Sequence, residues 1–319
     1  MSKDLPFDPF PLFPGSHQQT ILGSFYLMPR KLPSETRFIE LPDKDQIAIE
    51  ITKPKDWKEE DPTVLLVHGL CGSHDSPYMI RMAKKLSDKG YRAIRFNLRG
   101  CGSGKGKAKM IYHSGRSQDV LEVLKHLKKE TPKSSITLMG FSLGGNIVLK
   151  LAGELNTVAS KFIDKVIAVG APVDLFSSVC LLQEAENHFY QNYFLKLLKA
   201  DITTRQKIFP DIEQVSIPKD ITLIEFDEWY TAPQCGYKNA MDYYKKSSSR
   251  ELVPEIDVPC HILFAEDDPL ISSTALDHFA LKEHIEVNKT KKGGHLGFLG
   301  IPGGDRGFHW MDSLLLDWM

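Results

Sequence analysis

Short runs of apolar residues alternate with longer amphipathic stretches along most of the chain. Residues 63–67 (TVLLV) are apolar without a break, which is typical of a strand that is buried on both faces of a sheet. Similar runs predict five more strands, at 91–97, 136–139, 166–169, 262–265 and 285–287. Between the first runs, apolar residues recur at helical spacing, as from Met79 to Leu86 and from Val120 to Leu127. This alternation predicts a mostly parallel sheet flanked by helices, preceded by an antiparallel hairpin of residues 37–41 and 46–52.

The alternation stops between Ala171 and about Arg250, where the sequence has helical and aromatic content instead. Insertions of this length within a compact domain are usually functional covers. A cover that follows a central strand would lie over the carboxyl ends of the sheet, where ligands bind in such folds. We therefore expect one domain over residues 1–319, with a helical lid over approximately 172–250. The alternative interpretation is an extra helical layer that completes the core.

Composition narrows the classes of partner. The chain has 319 residues, a formal net charge of −1 and a pI near 6.8, so no long-range field steers it toward nucleic acid. No run approaches the roughly 18 apolar residues of a membrane span, and prolines interrupt the apolar run near the N-terminus. The five cysteines are scattered without C-x-x-C spacing. We expect a cytoplasmic protein with a small-molecule partner and no transmembrane segment.

Residues 140–144 (GFSLG) match the G-x-S-x-G pattern and lie between a predicted strand and a helix predicted to reach Leu155. In that context the serine occupies a tight strand-to-helix turn, which is typical of the nucleophile of the α/β-hydrolase fold. Gly140 and Gly144 lack the Cβ atoms that would collide with such a turn. The helix N-terminus also favours the anion that develops during acyl transfer. The motif therefore predicts Ser142 as a nucleophile.

A serine hydroxyl is a weak nucleophile by itself, so a base must lie nearby. In this fold the partners follow the serine in the order acid, then histidine, each after a later strand. His295 follows the strand predicted at 285–287 and is flanked by glycines, which indicates a tightly bent loop. We predict His295 as the general base. His309 is the alternative, although its place at the start of the last helix favours a structural role.

The acid that orients the base follows the strand predicted at 262–265. Two adjacent aspartates, Asp267 and Asp268, occupy this position, and Asp174 after the preceding strand is a third possibility. Pro269 holds the residue before it in an extended conformation, which suits a rigid orienting group. The chemistry of the residues alone favours Asp268 but leaves the alternatives open.

An oxyanion hole needs two N–H donors, one from the residue after the nucleophile and one from the loop after an earlier strand. Leu143 supplies the first. The second is expected from Leu70, because Gly69 lets this loop turn inward. We expect His68 to brace the loop rather than to take part in chemistry, and Cys71 to be a small buried residue.

Several longer motifs resemble those of a known family. They are SHQQT (16–20), HGLCGSHDSPYMIRMAKKL (68–86), FNLRGCGSG (96–104), YHSGRSQD (112–119), GFSLGGN (140–146), FDEWYTAPQCGYKNAMDYY (226–244), AEDDPL (265–270) and GGHLGF (293–298). Together they resemble the YheT-like esterases of the α/β-hydrolase superfamily over essentially the whole chain. The resemblance implies a triad of Ser142, Asp268 and His295, and so favours Asp268 over Asp267. It also implies activity on esters, since eukaryotic relatives act on acylglycerols, phospholipids and fatty-acyl esters.

The sequence therefore leads to one main hypothesis, the two-step hydrolysis of a carboxylic ester through an acyl-enzyme on Ser142. Aromatic and aliphatic residues in the insertion make a short- to medium-chain acyl group or a lipid a reasonable substrate. No metal or organic cofactor is expected. Acyl transfer and thioester cleavage use the same three residues and stay open, as does a binding protein that lost the chemistry. The motifs at 112–115 and 226–228 are expected to brace the loops around the site.

Overall fold

A computed structural model describes residues 2–24 and 32–319, and nine strands form one sheet within them. The strands are β1 (Lys3–Asp4), β2 (Glu35–Glu40), β3 (Gln46–Thr52), β4 (Thr63–Val67), β5 (Arg92–Phe96), β6 (Ile136–Phe141), β7 (Lys165–Val169), β8 (Cys260–Ala265) and β9 (Ile285–Thr290). Their order across the sheet is β1-β9-β8-β7-β6-β4-β5-β3-β2. All neighbouring strands are parallel except β3, which is antiparallel to both β2 and β5. The mostly parallel sheet and the preceding hairpin are thus confirmed.

Helices cover both faces of this sheet. They are α1 (Ser16–Gly23), α2 (Pro77–Asp88), α3 (Ser117–Glu130), α4 (Leu143–Leu155), α5 (Leu175–Gln183), α6 (His188–Ile208), α7 (Leu223–Phe226), α8 (Ala232–Gln234), α9 (Ala240–Ser247) and α10 (Trp310–Asp317). A π-helical turn, Asp227–Thr231, joins α7 to α8. In the described part of the chain, no helix combines the length and the apolar character that crossing a membrane requires.

The continuous apolar run of β4 is explained by burial on both faces. Leu65 and Val67 point to the side of the sheet that α3 and α4 cover, whereas Val64 and Leu66 point to the side of α2 and α10. Side chains alternate along a strand, so a strand that is covered on both sides favours apolar residues at consecutive positions. β4 therefore lies at the centre of two apolar cores, and its carboxyl end is held firmly beside that of β6 through the pair Val67 and Gly140.

The insertion between β7 and β8 contains the five helices α5–α9 and has an apolar cluster of its own. The cluster includes Leu175, Leu195, Phe226, Tyr230 and Tyr244. Because most of these side chains pack against one another rather than against the sheet, the insertion is a distinct layer of the molecule. The helical content expected there is confirmed, and the lid boundaries at 172–250 stay a prediction.

A buried ion pair joins α2 to α10, which pack on the same side of the sheet. The Arg81 guanidinium donates from Nε and Nη2 to the Asp312 carboxylate at 3.0 and 3.3 Å, and Lys85 Nζ lies 3.1 Å from it. The side chains of Arg81 and Asp312 are only 4% and 1% exposed. Replacing Asp312 with alanine leaves Arg81 charged and buried, so we expect a loss of about 3–5 kcal/mol in the free energy of unfolding, measured by urea denaturation.

An exposed pair on the same helix provides the control. Lys84 and Asp88 lie 2.8 Å apart, with side chains 45% and 61% exposed, and Asp88→Ala is expected to cost less than about 1 kcal/mol. Burial alone raises the pKa of Asp312, but Arg81 and Lys85 bring it below the ordinary value. Its contribution is therefore present above the unfolded pKa of about 3.9 and is lost as pH falls through the folded pKa. Equal losses for both variants at neutral pH would contradict this assignment.

Candidate active site

Ser142 lies between β6 and α4, at the carboxyl edge of the sheet, in a strained conformation with φ 50° and ψ −123°. A Cβ atom on Gly140 would overlap the backbone of Gly144, and one on Gly144 would overlap the carbonyl oxygen of Val67. Both glycines are therefore required by the turn, as the sequence predicted. The turn exposes the serine hydroxyl at the start of α4, where positive φ for a serine is tolerated only because the surroundings fix it.

A chain of hydrogen bonds connects Ser142, His295 and Asp268. His295 Nε2 lies 2.9 Å from Ser142 Oγ, and His295 Nδ1 lies 2.8 Å from Asp268 Oδ2. The side chains of His295 and Asp268 are only 10% and 3% exposed. The other carboxylate oxygen of Asp268 accepts the N–H groups of Leu270 and Ile271 at 2.8 and 3.1 Å, which fixes the carboxylate. When Nδ1–H donates a hydrogen bond to Asp268, Nε2 is left free to accept one from the serine hydroxyl.

The other candidates for the acid and the base lie elsewhere. Asp267 Oδ1 accepts the N–H of Gly294 at 2.9 Å. It therefore helps to hold the loop of residues 293–298, which carries His295 and is called the histidine loop below. Asp174 caps the N-terminus of α5 and lies 3.1 Å from Arg250. His309 precedes α10, and burial together with the charge of Arg81 lowers its pKa to about 4. The structure thus brings Asp268, and neither Asp267 nor Asp174, to His295.

Leu70 and Leu143 line the same cavity as Ser142. Leu143 is the first residue of α4, so its N–H has no partner within the helix. Gly69 allows the neighbouring loop to approach, since a Cβ there would lie 3.0 Å from the Cβ of Ser142. His68 is fully buried, with Nδ1 2.8 Å from the Gly69 carbonyl oxygen. Burial lowers its pKa to about 4, so a neutral imidazole braces this loop, as expected.

The 112–115 motif holds the loops around the site. Tyr112 Oη accepts the N–H of Cys71 at 3.1 Å, and burial raises the pKa of the Cys71 thiol to about 12, which keeps it protonated. Tyr243 Oη donates to Ser114 Oγ at 2.8 Å, and the Ser114 carbonyl oxygen accepts from Asn146 Nδ2 at 3.0 Å. The motif therefore ties α4 and α9 to the loop of residues 68–72, in agreement with the bracing role expected for it.

Two residues of α1 support the histidine loop and were not predicted as site residues. Thr20 Oγ1 accepts the N–H of His295 at 2.8 Å. Gln19 is fully buried, donates to the carbonyl oxygen of Phe13 at 2.7 Å and accepts the N–H of Leu299 at 2.7 Å. Their only signal was the SHQQT motif, because polar residues on a short helix carry no indication of burial. α1 thus fixes the backbone of the loop that carries the His295 imidazole.

α1 also contacts the insertion. His17 Nδ1 lies 3.1 Å from the Tyr190 hydroxyl on α6, and the two rings stack with centroids 5.7 Å apart. A groove beside this contact opens onto Ser142 and His295, with Ile21, Phe189 and Tyr193 at its rim. Phe189 and Tyr193 are 55% and 54% exposed. The serine is therefore reached from the side where α1 and α6 meet.

A second, mostly apolar cavity extends from Ser142 beneath the insertion. Its apolar lining includes Leu175, Val179, Leu182, Phe194, Leu198, Leu223, Phe226, Leu270 and Ile271. Within residues 2–24 and 32–319, no group of three or more His, Cys, Asp or Glu residues has the arrangement of a metal site. The site therefore places a serine hydroxyl, an imidazole and a carboxylate in one chain of hydrogen bonds beside a mostly apolar cavity.

Comparison with known proteins agrees with this geometry. A family model for the alpha/beta hydrolase fold matches residues 62–300. The candidate esterase YheT of Escherichia coli strain K12 is 29% identical over all of this chain and 94% of its own length. A monoacylglycerol lipase of Saccharomyces cerevisiae is also 29% identical, over 77% of this chain and 56% of the yeast protein.

Among solved structures, the fold is similar to that of Est1E from Butyrivibrio proteoclasticus with bound ferulic acid. The TM-score is 0.57 at 15% sequence identity, over 89% of this chain and 97% of Est1E. At that identity the likeness concerns the fold alone, whereas the family model spans β4 to the end of the histidine loop. The chain therefore belongs to the alpha/beta hydrolase fold family, in agreement with the YheT-like resemblance of its motifs.

Proposed function

We propose that this protein is a serine esterase that hydrolyses carboxylic esters through an acyl-enzyme on Ser142. The observation that carries the proposal is the hydrogen-bond chain from Ser142 through His295 to Asp268. The similarity to proteins named as an esterase and a monoacylglycerol lipase supports hydrolysis of ester bonds.

In the first step, Ser142 Oγ attacks the ester carbonyl carbon while His295 Nε2 takes its proton. The carbonyl oxygen becomes an oxyanion, which the N–H groups of Leu70 and Leu143 stabilise. Asp268 holds the imidazole and stabilises the imidazolium that forms. When the tetrahedral intermediate collapses, His295 gives the proton to the leaving alcohol and the acyl group stays on Ser142. In the second step, water repeats the sequence and releases the acid.

The cavity beneath the insertion supports an apolar acyl group as the part of the substrate that enters it. Its wall near Ser142 is formed by leucine, valine, isoleucine and phenylalanine side chains, most of them from the insertion. Burying a hydrocarbon chain there contributes about 0.8 kcal/mol for each CH₂ group. We therefore assign residues 172–250 as a lid that supplies the acyl-binding wall, while the groove between α1 and α6 admits the ester.

Labelling with a fluorophosphonate tests the proposal, because this reagent forms a bond only with an activated serine. We expect the wild-type protein to be labelled at Ser142 and Ser142→Ala to remain unlabelled, as measured by gel fluorescence and peptide mass spectrometry. Ser313→Ala, a change on α10 away from the cavity, should be labelled at the wild-type rate. An unlabelled wild-type protein, or equal labelling of Ser142→Ala, would defeat the proposal.

Thr20 provides a test of how the base is positioned. Thr20→Val keeps the shape of the side chain but removes the acceptor for the His295 N–H. Because small displacements of a reacting group cost up to about a hundredfold in rate, we expect kcat to fall about ten- to a hundredfold with KM nearly unchanged. Thr20→Ser retains the oxygen and should recover most of the rate. A Thr20→Val protein with wild-type kcat and melting temperature would contradict this role.

A further inference from the structure

One polar group in the apolar cavity is not used by the proposed reaction. Asp227 is the only acidic residue that lines this cavity in the part of the chain that the structure describes. It belongs to the π-helical turn between α7 and α8, a kind of distortion that is frequent at functional sites. The residue is half-buried, and it lines the cavity that also contains Ser142.

Several other polar side chains of the cavity wall are already engaged by protein groups. Tyr243 Oη bonds to Ser114, and Tyr112 Oη accepts the N–H of Cys71. Ser178 Oγ donates to the carbonyl oxygen of Asp174 at 3.0 Å. These groups therefore complete the wall rather than offer it to a ligand.

Asp227 differs from them because its carboxylate has capacity to spare. Tyr244 Oη donates to Oδ2 at 2.7 Å. An ionised carboxylate has about four lone-pair sites, so this donor leaves room for others. Tyr244 lines the same cavity, which places the two bonded groups on one stretch of its wall. The arrangement is a prepared acceptor site within an apolar chamber.

The charge of Asp227 is not balanced by a cation. No lysine or arginine in residues 2–24 and 32–319 forms an ion pair with it, and burial raises its pKa to about 6, although the hydrogen bond from Tyr244 lowers it. Burial of a carboxylate in this environment costs free energy, and an uncharged amide in the same place would also accept a hydrogen bond from Tyr244. A hydrogen bond from a donor on a bound ligand would offset part of the free-energy cost of burying the carboxylate.

We propose that Asp227 accepts a hydrogen bond from a hydroxyl group on the acyl chain, so that the preferred substrates are esters of hydroxy acids. This inference rests on the proposed function of Ser142. The free-energy cost of removing a hydroxyl from water is smaller than that of removing an ammonium group, which favours the hydroxyl in a chamber whose other walls are apolar. An acyl chain that ends in a carboxylate is disfavoured because its charge has the same sign as that of Asp227.

Competition between matched esters tests the inference. Ethyl octanoate is mixed with one ethyl hydroxyoctanoate at a time, with the hydroxyl near the ester, near the middle or at the end of the chain, and the released acids are separated by chromatography. We expect the wild-type protein to prefer at least one hydroxylated isomer about tenfold in kcat/KM, the size expected for one hydrogen bond to a charged acceptor. No preference for any isomer overturns the inference, as does a stronger preference for the matching amino-acyl ester.

Two variants separate recognition from bracing. Asp227→Asn should weaken the preference, because a neutral amide forms a weaker hydrogen bond than a carboxylate, while it keeps fluorophosphonate labelling and folding, measured by circular dichroism. Tyr244→Phe removes one donor but leaves the carboxylate, so it should lower the melting temperature and retain the preference. If Asp227→Asn keeps the preference, Asp227 is a brace only. Absence of both labelling and hydrolysis in the wild-type protein would instead refute the proposed function, so the two failures are distinguishable.

Discussion

Replacing His295 with alanine is expected to lower kcat for ester hydrolysis by about five orders of magnitude. The imidazole is the only base within hydrogen-bond distance of Ser142 Oγ in the described part of the chain, so the hydroxyl would have to lose its proton to water. In enzymes with this arrangement, loss of the serine or the histidine costs about a millionfold, and the remaining rate comes from the oxyanion donors and from binding. Steady-state kinetics with a chromogenic ester measure the loss.

A double variant and a control variant test whether His295 is the base that acts on Ser142. Ser142→Ala combined with His295→Ala should be no slower than either single variant, because the two residues act as one unit. His309→Ala should retain wild-type kcat, since His309 precedes α10 and lines neither the groove nor the cavity at Ser142. A His295→Ala protein that keeps more than about one percent of the wild-type kcat would show that another group serves as base.

Replacing Asp268 with asparagine is expected to lower kcat by about ten-thousandfold, with little change in the fold. An asparagine amide can donate to Nδ1, which places the imidazole proton on Nε2, where it can no longer accept from Ser142. The carboxylate is also the group that stabilises the imidazolium in the transition state. Both effects act on kcat, so KM should change little, and circular dichroism should match that of the wild-type protein.

Asp267→Asn is the matched control, one residue away on the same turn. The Oδ1 of the asparagine can still accept the N–H of Gly294. The oxygen that the amide nitrogen replaces, Oδ2, has no hydrogen-bond partner in the described residues and lies 3.9 Å from Lys292 Nζ. Burial raises the pKa of Asp267, so a neutral amide suits this place. We expect kcat to fall less than about tenfold. Equal losses for Asp267→Asn and Asp268→Asn would mean that the charge of the turn matters rather than the contact with Nδ1.

The fold was largely predictable because its strands are buried on both faces. The unbroken run at 63–67 and its repeats identified six parallel strands, and the hairpin followed from its own pattern. The strand Lys3–Asp4 was missed since two exposed residues carry no apolar signal. Boundaries shifted by one to three residues, as at 136–141, where the strand continues through Gly140 to the edge of the serine turn. The hydrophobic pattern alone does not show whether a strand ends before a glycine such as Gly140 or continues through it.

The candidate site was predictable where a motif ties residue type to backbone geometry. The glycines around Ser142 and His295 marked turns, and chain order supplied the pairing of the two residues. Adjacent residues on one turn point in different directions, however, and sequence chemistry alone left Asp267 and Asp268 open. The role of Thr20 depends on its contact with His295, more than two hundred residues away in the sequence. The role of Asp227 depends on its place in a cavity wall. The spacing of apolar residues reports neither.

The position of α1 between two functional elements has a thermodynamic consequence. Its Thr20 bonds to the backbone of the base, while its His17 stacks on Tyr190 of the helix that borders the entrance. An occupant that displaces Tyr190 therefore also acts on the imidazole through the single helical turn from His17 to Thr20. Linkage makes such an effect reciprocal, so the alignment of the base and the occupancy of the chamber share one coupling free energy.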